Sequence, residues 1–527
     1  MSIFTKIKVS KPKRTNFDLS HEVKTTANMG YLYPFLLQET LPGDSFRLSS
    51  QVFCRMAPMF APIMSRVDIY THFFFVPTRL LFDEFEDFIT GGEDGTKVVP
   101  APTIQLSTLE SYNLLKESSL ADYLGVPTLD SAVPSGFKIS TLPFKAYQLV
   151  WNEYYRDQNL EEEIDIYKSQ IGDMSEDFEQ RGEYQKIFQL RKRAWAKDYF
   201  TSALPWPQRG PEVTLPFDGQ GSLSYKDPAR GLSWRSASGS LGVPAQLELF
   251  KGGNQYTIGS NNQQVMPELE NIQVDVKNAA PTINELRKSF RVQEWLEKSA
   301  RGGARYIEQI FSHFGVKSSD ARLQRPEYLG GGKSPILISE VVQQSQSTPD
   351  SPQGTLAGHG VSAQNTHSFK RYFEEHGYVI GLISIMPKAS YQQGLPRLWT
   401  RADKFDYAWP EFAHLGEQEI KLHELDMISA AQSESSDTTF GYAPRYSEYK
   451  YCPNTVHGAF RSSMKNWHLG RIFANTPRLN SEFIHPDLKS LNRIFNVERE
   501  DVDHFWIQIY NNFQAKRPLP YYGTPTI

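Results

Sequence analysis

Hydrophobic and polar residues alternate with period two along several stretches of the chain. From Ser45 to Phe53, the positions Phe46, Leu48, Ser50 and Val52 oppose Arg47, Ser49, Gln51 and Phe53, which predicts a strand with one face in a core. From Val67 to Val76, one face carries Val67, Ile69, Thr71, Phe73 and Phe75. The other carries Asp68, Tyr70 and His72 and then turns apolar at Phe74 and Val76, as expected of a half or fully buried strand. Pro77 is expected to end this strand, since it cannot donate to a ladder. Thr78 is expected to cap a short helix in which Leu81, Phe85, Phe88 and Ile89 share a face, with Gly91-Gly92 as its stop. The continuous apolar run from Tyr378 to Met386 predicts a buried strand closed by Pro387. Ile336 to Val342 and His504 to Phe513 read as further strands, the last with Phe505, Ile507 and Ile509 on one face.

Helical spacing is found elsewhere. Phe144, Tyr147, Trp151 and Tyr154 or Tyr155 recur on one face, predicting an aromatic helix packed on a core. Thr282 and Glu285 form a capping box ahead of Leu286 and Phe290, and Gly302-Gly303 should break that helix. Ile307, Ile310, Phe311 and Phe314 line a second helical face closed by Gly315. Residues 161–193 run from acidic to basic and read as a solvated helical segment. Residues 98–137 and 343–360 read as loops, the latter ending in Gly354, Gly358 and Gly360. Residues 217–280 are rich in Gly, Ser, Asn and Gln and read as a long insertion with a few strands of its own. The pattern as a whole predicts a β-rich protein with long loops and a few helices, and leaves strand order open.

Composition narrows the chemistry. The 527 residues carry a net charge of −4, so any nucleic-acid contact must come from a local patch. One such patch is the N-terminus, where Lys6, Lys8, Lys11, Lys13 and Arg14 occur without an acid. It reads equally as a solvated flexible terminus or as an arm on phosphates. Only Cys54 and Cys452 are present, which argues against a disulfide framework and a thiolate metal site and fits a reducing compartment. No signal peptide or membrane span is expected. LGGGKS, Leu329 to Ser334, imitates a phosphate loop, but Glu327 stands where the motif needs glycine, and Pro335 and a strand follow instead of a helix. The neighbouring Glu374, Glu375 and His376 point apart, and GGEDG from Gly91 to Gly95 reads as an acidic turn. No complete nucleophile, metal or phosphate motif is present, so catalysis, a cofactor and a bound metal are not expected. Two rival readings of a β-rich chain are a carbohydrate-active enzyme, which needs two carboxylates facing across an aromatic cleft, and a lectin-like adhesin.

The run MAPMFAPIMSRVDIYTHFFFVPTRLLFDEFEDFITGGEDG, with NMGYLYPFLLQETLPGDSFRL before it and GGARYIEQIFSHFGVKSSDARLQRPEYLGGGKSPILISEV later, resembles the major capsid proteins of the Microviridae, in particular the gokushovirus-like branch. The resemblance implies a viral jelly roll, an eight-stranded antiparallel β-barrel with long insertions, over residues 16–216 and 281–527. It implies a basic arm over residues 1–15 and a surface insertion over 217–280. It further implies a structural protein that self-assembles, through permanent interfaces of about 2,000 Å² or more each, into a small icosahedral shell around a circular single-stranded DNA genome. Expected partners are other copies of the chain, the DNA, a small internal DNA-binding protein, a pilot protein and a host cell-surface receptor. The expected place is the virion, assembled in the host cytoplasm. In such capsids the insertion stands at threefold axes. Trp234, Leu247, Leu249 and Phe250, too sparse for an independent core, would pack there among three copies and serve host attachment.

Overall fold

Ten strands carry the larger part of the molecule. In chain order they are β1 (Thr15–Asp18), β2 (His21–Ala27), β3 (Tyr33–Thr40), β4 (Ser45–Met56), β5 (Val67–Pro77), β6 (Glu327–Pro335), β7 (Leu337–Val342), β8 (Leu356–Tyr372), β9 (Gly377–Pro387) and β10 (Phe505–Arg517). The computed structural model describes residues 12–105, 115–128, 138–166, 185–211, 213, 222–225, 234–236, 239–241, 249–252, 255–258, 263–267, 272–275, 282–342, 356–432, 438–497, 499 and 502–522. The chain divides into two compact units, one made of Met1–Pro207 with Ala300–Ile527, the other of Gln208–Ser299.

In the larger unit the strands form two antiparallel sheets. The first has the order β1-β10-β4-β8-β7, with β2 pairing β10 beside β1, and the second has the order β6-β5-β9-β3. Leaving β1 and β7 aside, the remaining eight strands pair first with eighth (β2 with β10), second with seventh (β3 with β9), third with sixth (β4 with β8) and fourth with fifth (β5 with β6). The chain is thus one long antiparallel double ribbon. Winding it up adds the pairs β4 with β10 and β5 with β9. That pairing is the topology of a jelly roll, the fold the resemblance implied.

The alternation read from the sequence places the core between the sheets. Along β4 burial alternates strictly, with Phe46, Leu48, Ser50 and Val52 inside as expected. β10 does the same through Phe505, Ile507, Ile509 and Phe513. These side chains meet Val67, Ile69, Phe73 and Phe75 of β5 and Val379, Ile383 and Ile385 of β9 in one cluster. Aromatic contacts tie the sheets together, Phe73 to Phe369 at 5.3 Å, and Phe373 in the turn after β8 to both Phe46 at 5.0 Å and Phe75 at 4.8 Å between ring centres.

The second sheet is buried on both faces, which is why β5 and β9 read as nearly continuous apolar runs. Its outer residues Phe74, Val76, Ile380 and Leu382 pack under the helix Leu142–Val150 and the π turn Trp151–Tyr155 that continues it. The expected aromatic face of that helix is buried at Phe144, Tyr147 and Trp151, and the Tyr147 hydroxyl donates to the Leu32 carbonyl at 2.7 Å. A third cluster gathers Tyr199, Phe200, Ile420, Leu425 and Phe483 beside the paired strands Glu417–Lys421 and Thr439–Pro444.

Several expectations need correction. Thr78 opens a 3₁₀ turn, Thr78–Leu80, and makes no side-chain cap. The short helix that follows is Phe85–Thr90, stopped by Gly91 in the left-handed region as expected, yet Phe88 and Ile89 stay exposed. Most of the segment 161–193, residues 167–184, lies outside the described residues; before it, Glu163 to Ile166 alternates out and in, with Ile164 and Ile166 buried. Arg191 and Arg193 are not solvated either. Arg193 lies 4.1 Å over the Tyr70 ring and donates to the Ser384 hydroxyl at 2.6 Å, and Arg191 lies 5.4 Å over Trp151. Gly358 and Gly360 sit in β8, not in a loop. A Cβ on Gly358 would stand 2.6 Å from Pro62 Cα, so glycine marks a close chain crossing there. The run Gly330–Gly332 likewise belongs to β6, where a Cβ on Gly331 would meet the Thr71 carbonyl oxygen and His72 Cδ2 at 2.5 Å.

His72 itself yields a pH prediction. It is partly buried on β5 with Nδ1 2.6 Å from the Tyr155 hydroxyl. Burial, followed by the nearby Arg193 guanidinium, lowers its pKa from 6.5 to about 4. A depressed folded pKa favours the neutral ring. The stability it contributes is therefore present above pH 6.5 and is lost as pH falls through the window down to about 4. The cost at the acid end is about 3 kcal/mol. Denaturant unfolding of wild type and His72→Gln should show a gap between the two that narrows by that amount on acidification. A gap independent of pH would contradict it.

Candidate assembly and nucleic-acid surfaces

A cavity of about 790 Å³ in the larger unit is lined by Arg397, Arg401, Glu417, Glu419, Arg445 and Glu448 among others. Its carboxylates are already committed. Glu417 pairs with Arg301, Glu419 with Lys421, and Glu448 with Arg397 and Arg401, both at 4.0 Å. Asp406 accepts from the backbone N–H groups of Ala402 and Asp403 at 2.8 Å, and those bonds lower its pKa. Arg401 is held 4.5 Å over Tyr449 and 5.3 Å over Tyr407. This is a structural ion-pair network rather than two free carboxylates across a cleft. Among the described residues no group of three His, Cys, Asp or Glu side chains could hold a metal ion, and no helix is long and apolar enough to cross a membrane.

What the larger unit does present is open apolar surface. The helix Tyr306–Phe314 forms as expected and is stopped by Gly315 in the left-handed region, but it buries none of its residues fully. Phe311 is 61% and Phe314 80% exposed, and Tyr306 72%, on a helix with no core beneath that face. Trp399, Phe405, Tyr407 and Trp409, on the 3₁₀-rich stretch after β9, are also exposed. Large apolar side chains left open in this way mark surfaces that associate.

The second open surface is the outer face of the first sheet. Across it run rows of directly opposed residues: Thr26, Trp506, Arg55 and Val361; Lys24, Gln508, Phe53 and Ala363; Glu22, Tyr510 and Gln51; Gln514, Arg47 and Lys370; Lys516 and Ser45. A groove of about 640 Å³ crosses its middle between Glu22, Gln51, Phe53, Ala363, Gln508 and Tyr510. Sequence reasoning placed only Arg47, Gln51 and Phe53 and the stretch from His504 to Phe513 on strands and assigned no strand to Glu22, Lys24, Lys370 or Lys516, and the grouping arises only from the register.

Of the arm residues, Lys6 and Lys8 and Lys11 lie outside the described residues. Lys13 is exposed. Arg14 donates to the Gly43 carbonyl and holds its guanidinium 5.0 Å over the Tyr372 ring, at the end of this same sheet.

The smaller unit contains a five-stranded antiparallel sheet ordered Gly239–Leu241, Trp234–Ser236, Gln263–Pro267, Gln255–Ile258 and Leu249–Gly252, and a pair Ser222–Tyr225 with Ile272–Asp275. It also includes most of the helix Ile283–Gly302, which opens with the expected capping box: Glu285 accepts from the Thr282 N–H at 2.8 Å and the Thr282 hydroxyl accepts from the Glu285 N–H at 3.2 Å. The unit is wider than residues 217–280. Trp234 lies on the second strand of the five, and Leu249 and Phe250 on the far edge strand, three places away. Leu247 lies outside the described residues.

The family described as "Capsid protein (F protein)" matches residues 5–527. "Capsid protein VP1" of Chlamydia phage 1 is 36% identical over 99% of this chain and 97% of its own length. "Capsid protein VP1" of Bdellovibrio phage phiMH2K is 36% identical over 97% of the chain and 95% of its own. That of Spiroplasma virus 4 is 30% identical over 99% and 97%. A jelly roll with an open apolar helix and a match along nearly the whole length place this chain in the family described as "Capsid protein (F protein)", as a structural major capsid protein of the virion.

Proposed function

We propose that copies of this chain close into a small icosahedral shell around a circular single-stranded DNA genome. The observation that carries the reading is the exposed apolar face of Tyr306–Phe314 on a chain that belongs to a capsid family. A lone protomer leaves that face in water, and a permanent assembly removes it. The basic residues Lys6, Lys8, Lys11, Lys13 and Arg14 face inward and touch phosphates without sequence preference. A small internal DNA-binding protein and a pilot protein accompany the genome, and assembly takes place in the host cytoplasm. The insertion around residues 217–280 stands outward at threefold axes, where Trp234, Leu247, Leu249 and Phe250 of three copies pack and a host cell-surface receptor is met. Its composition supports this, being too polar to supply a core layer of the jelly roll. Sedimentation and negative-stain microscopy of the purified chain should give uniform closed particles. A protein that stays monomeric at all concentrations and salt conditions would overturn the reading.

A further inference from the structure

We infer that the outer face of the first sheet is the platform on which the chain holds single-stranded nucleic acid, with phosphates on its cations and bases stacked on its aromatics. The inference rests on the reading above that the shell encloses single-stranded DNA, and adds where this chain grips it.

Three observations carry it. The first is charge. Arg47 of β4 stands directly opposite Lys370 of β8, and Lys516 of β10 lies one diagonal step from Arg47. All three are exposed, and among the described residues none has a carboxylate partner. Like charges directly opposed across strands destabilise a sheet, and a polyanion lying across them reverses that sign. Arg55 and Lys24 extend the positive face along the strands, while its carboxylates are Glu22, Asp18 at one edge and Asp503, which accepts from the Thr26 hydroxyl at the Trp506 end.

The second observation is aromatic. Trp506 is 48% and Tyr510 38% exposed on the same face of the same strand. Their positions are four residues apart, about 13 Å along an extended strand. Arg55 lies 5.2 Å over the ring of Phe53 beside them. Exposed rings between cations on a sheet face suit unpaired bases, because any base offers a π face and its phosphate a charge. The amide side chains Gln51, Gln508, Asn512 and Gln514 fill the positions between and can bond base edges.

The third is continuity. Arg14, the last residue of the basic terminus, stacks on Tyr372, which lies beside the end of the face where Arg47, Lys370 and Lys516 cluster. The cluster of Arg47, Lys370 and Lys516 thus continues into Arg14 at that end of the face.

The test uses the full-length chain and a fluorescein-labelled oligothymidylate. Three variants are compared with wild type by anisotropy over a range of salt: Arg47→Gln with Lys370→Gln and Lys516→Gln; Trp506→Ala with Tyr510→Ala; and the arm variant with Lys6, Lys8, Lys11, Lys13 and Arg14 all changed to Gln. Removing three phosphate contacts should weaken binding about 100-fold at low salt and reduce the salt slope by about 2. Removing the rings should weaken binding about tenfold and leave the slope unchanged. Duplex DNA of the same length should bind less tightly than the single strand, because its bases are not free to stack. All five side chains are exposed, so thermal unfolding should be at or above wild type in the charge variant, which removes opposed like charges, and close to wild type in the ring variant, which separates lost contacts from lost structure. Wild-type affinity and slope in both face variants, with binding lost only in the arm variant, would overturn this inference and leave the encapsidation reading standing. A wild-type chain that forms closed shells yet binds no oligothymidylate would overturn both.

Discussion

Changing Phe311 and Phe314 together to Asp is expected to abolish particle formation while leaving the protomer folded. Both side chains sit on the helix Tyr306–Phe314 and are 61% and 80% exposed in the single chain. The helix does not depend on them for its own stability. Arg305 and Glu308 close its first turn, with the Glu308 carboxylate accepting from the Arg305 N–H at 3.0 Å, and Arg305 reaches back to the Asn152 carbonyl at 2.5 Å. Replacing exposed residues away from such contacts changes protomer stability by about 0.5 kcal/mol or less. At an interface the sign and size differ. Each buried Phe contributes about 1.5–3 kcal/mol, and an aspartate buried there without a partner costs several kcal/mol more. The loss recurs at every copy of a closed shell. Sedimentation should therefore show only slow species, while denaturant unfolding gives a midpoint near wild type. Normal particles from this variant would show that the face is not an interface.

The same helix shows how far the sequence could be read. Its periodicity at Ile307, Ile310, Phe311 and Phe314 correctly gave the helix and its apolar face, but periodicity alone does not say whose core that face enters. Phe88 and Ile89 on the helix Phe85–Thr90 pose the same problem. Within the sheets, local pattern was enough for β4, β5, β9 and β10, because one or both faces are buried along their whole length. Strand order was not legible, since pairs such as His21 with Asn511 join residues at opposite ends of the chain. β8 was read partly as a loop because Gly358 and Gly360 resemble turn signals. The glycines are there for space instead, as the chain at Pro62 and Met56 passes over them. In residues 163–166 the charges masked a two-residue alternation, Glu-Ile-Asp-Ile, that puts Ile164 and Ile166 into the core under the helix Leu142–Val150. The basic face of the first sheet escaped for a related reason. Arg47, Lys370 and Lys516 are far apart in sequence, and only the register of β4, β8 and β10 assembles them.

Removing residues 220–275 and joining the ends with a short Gly-Ser bridge is expected to leave shell formation intact and to abolish attachment to host cells. The segment lies wholly inside the compact unit Gln208–Ser299 and takes out, among the described residues, every strand of that unit, but no strand of the two jelly-roll sheets. The larger unit keeps its own fastenings where the chain re-enters it. Arg301 pairs with Glu417 and donates to the Ser202 carbonyl at 3.0 Å, and Ala300 is buried. The helix Ile283–Gly302 keeps its capping box, because Thr282 and Glu285 lie beyond the cut. The Gln208 side chain still accepts from Gln293 and donates to the Pro211 carbonyl at 2.8 Å, so the stub on the other side of the cut keeps its local bonds. Shortening a surface excursion lowers the entropy cost of closing it, by only about 0.6 kcal/mol for each halving of length, so the bridge itself does not oppose folding. Attachment is different in kind. Trp234, Leu249 and Phe250 go with the segment, and with them the sheet whose order puts two strands between Trp234 and the edge strand Leu249–Gly252. Particles counted by microscopy should be as abundant as wild type, and binding of labelled particles to host cells should fall to background. Loss of particles on this deletion would show that the segment is part of the shell wall, and unchanged attachment would place the receptor contact elsewhere on the capsid.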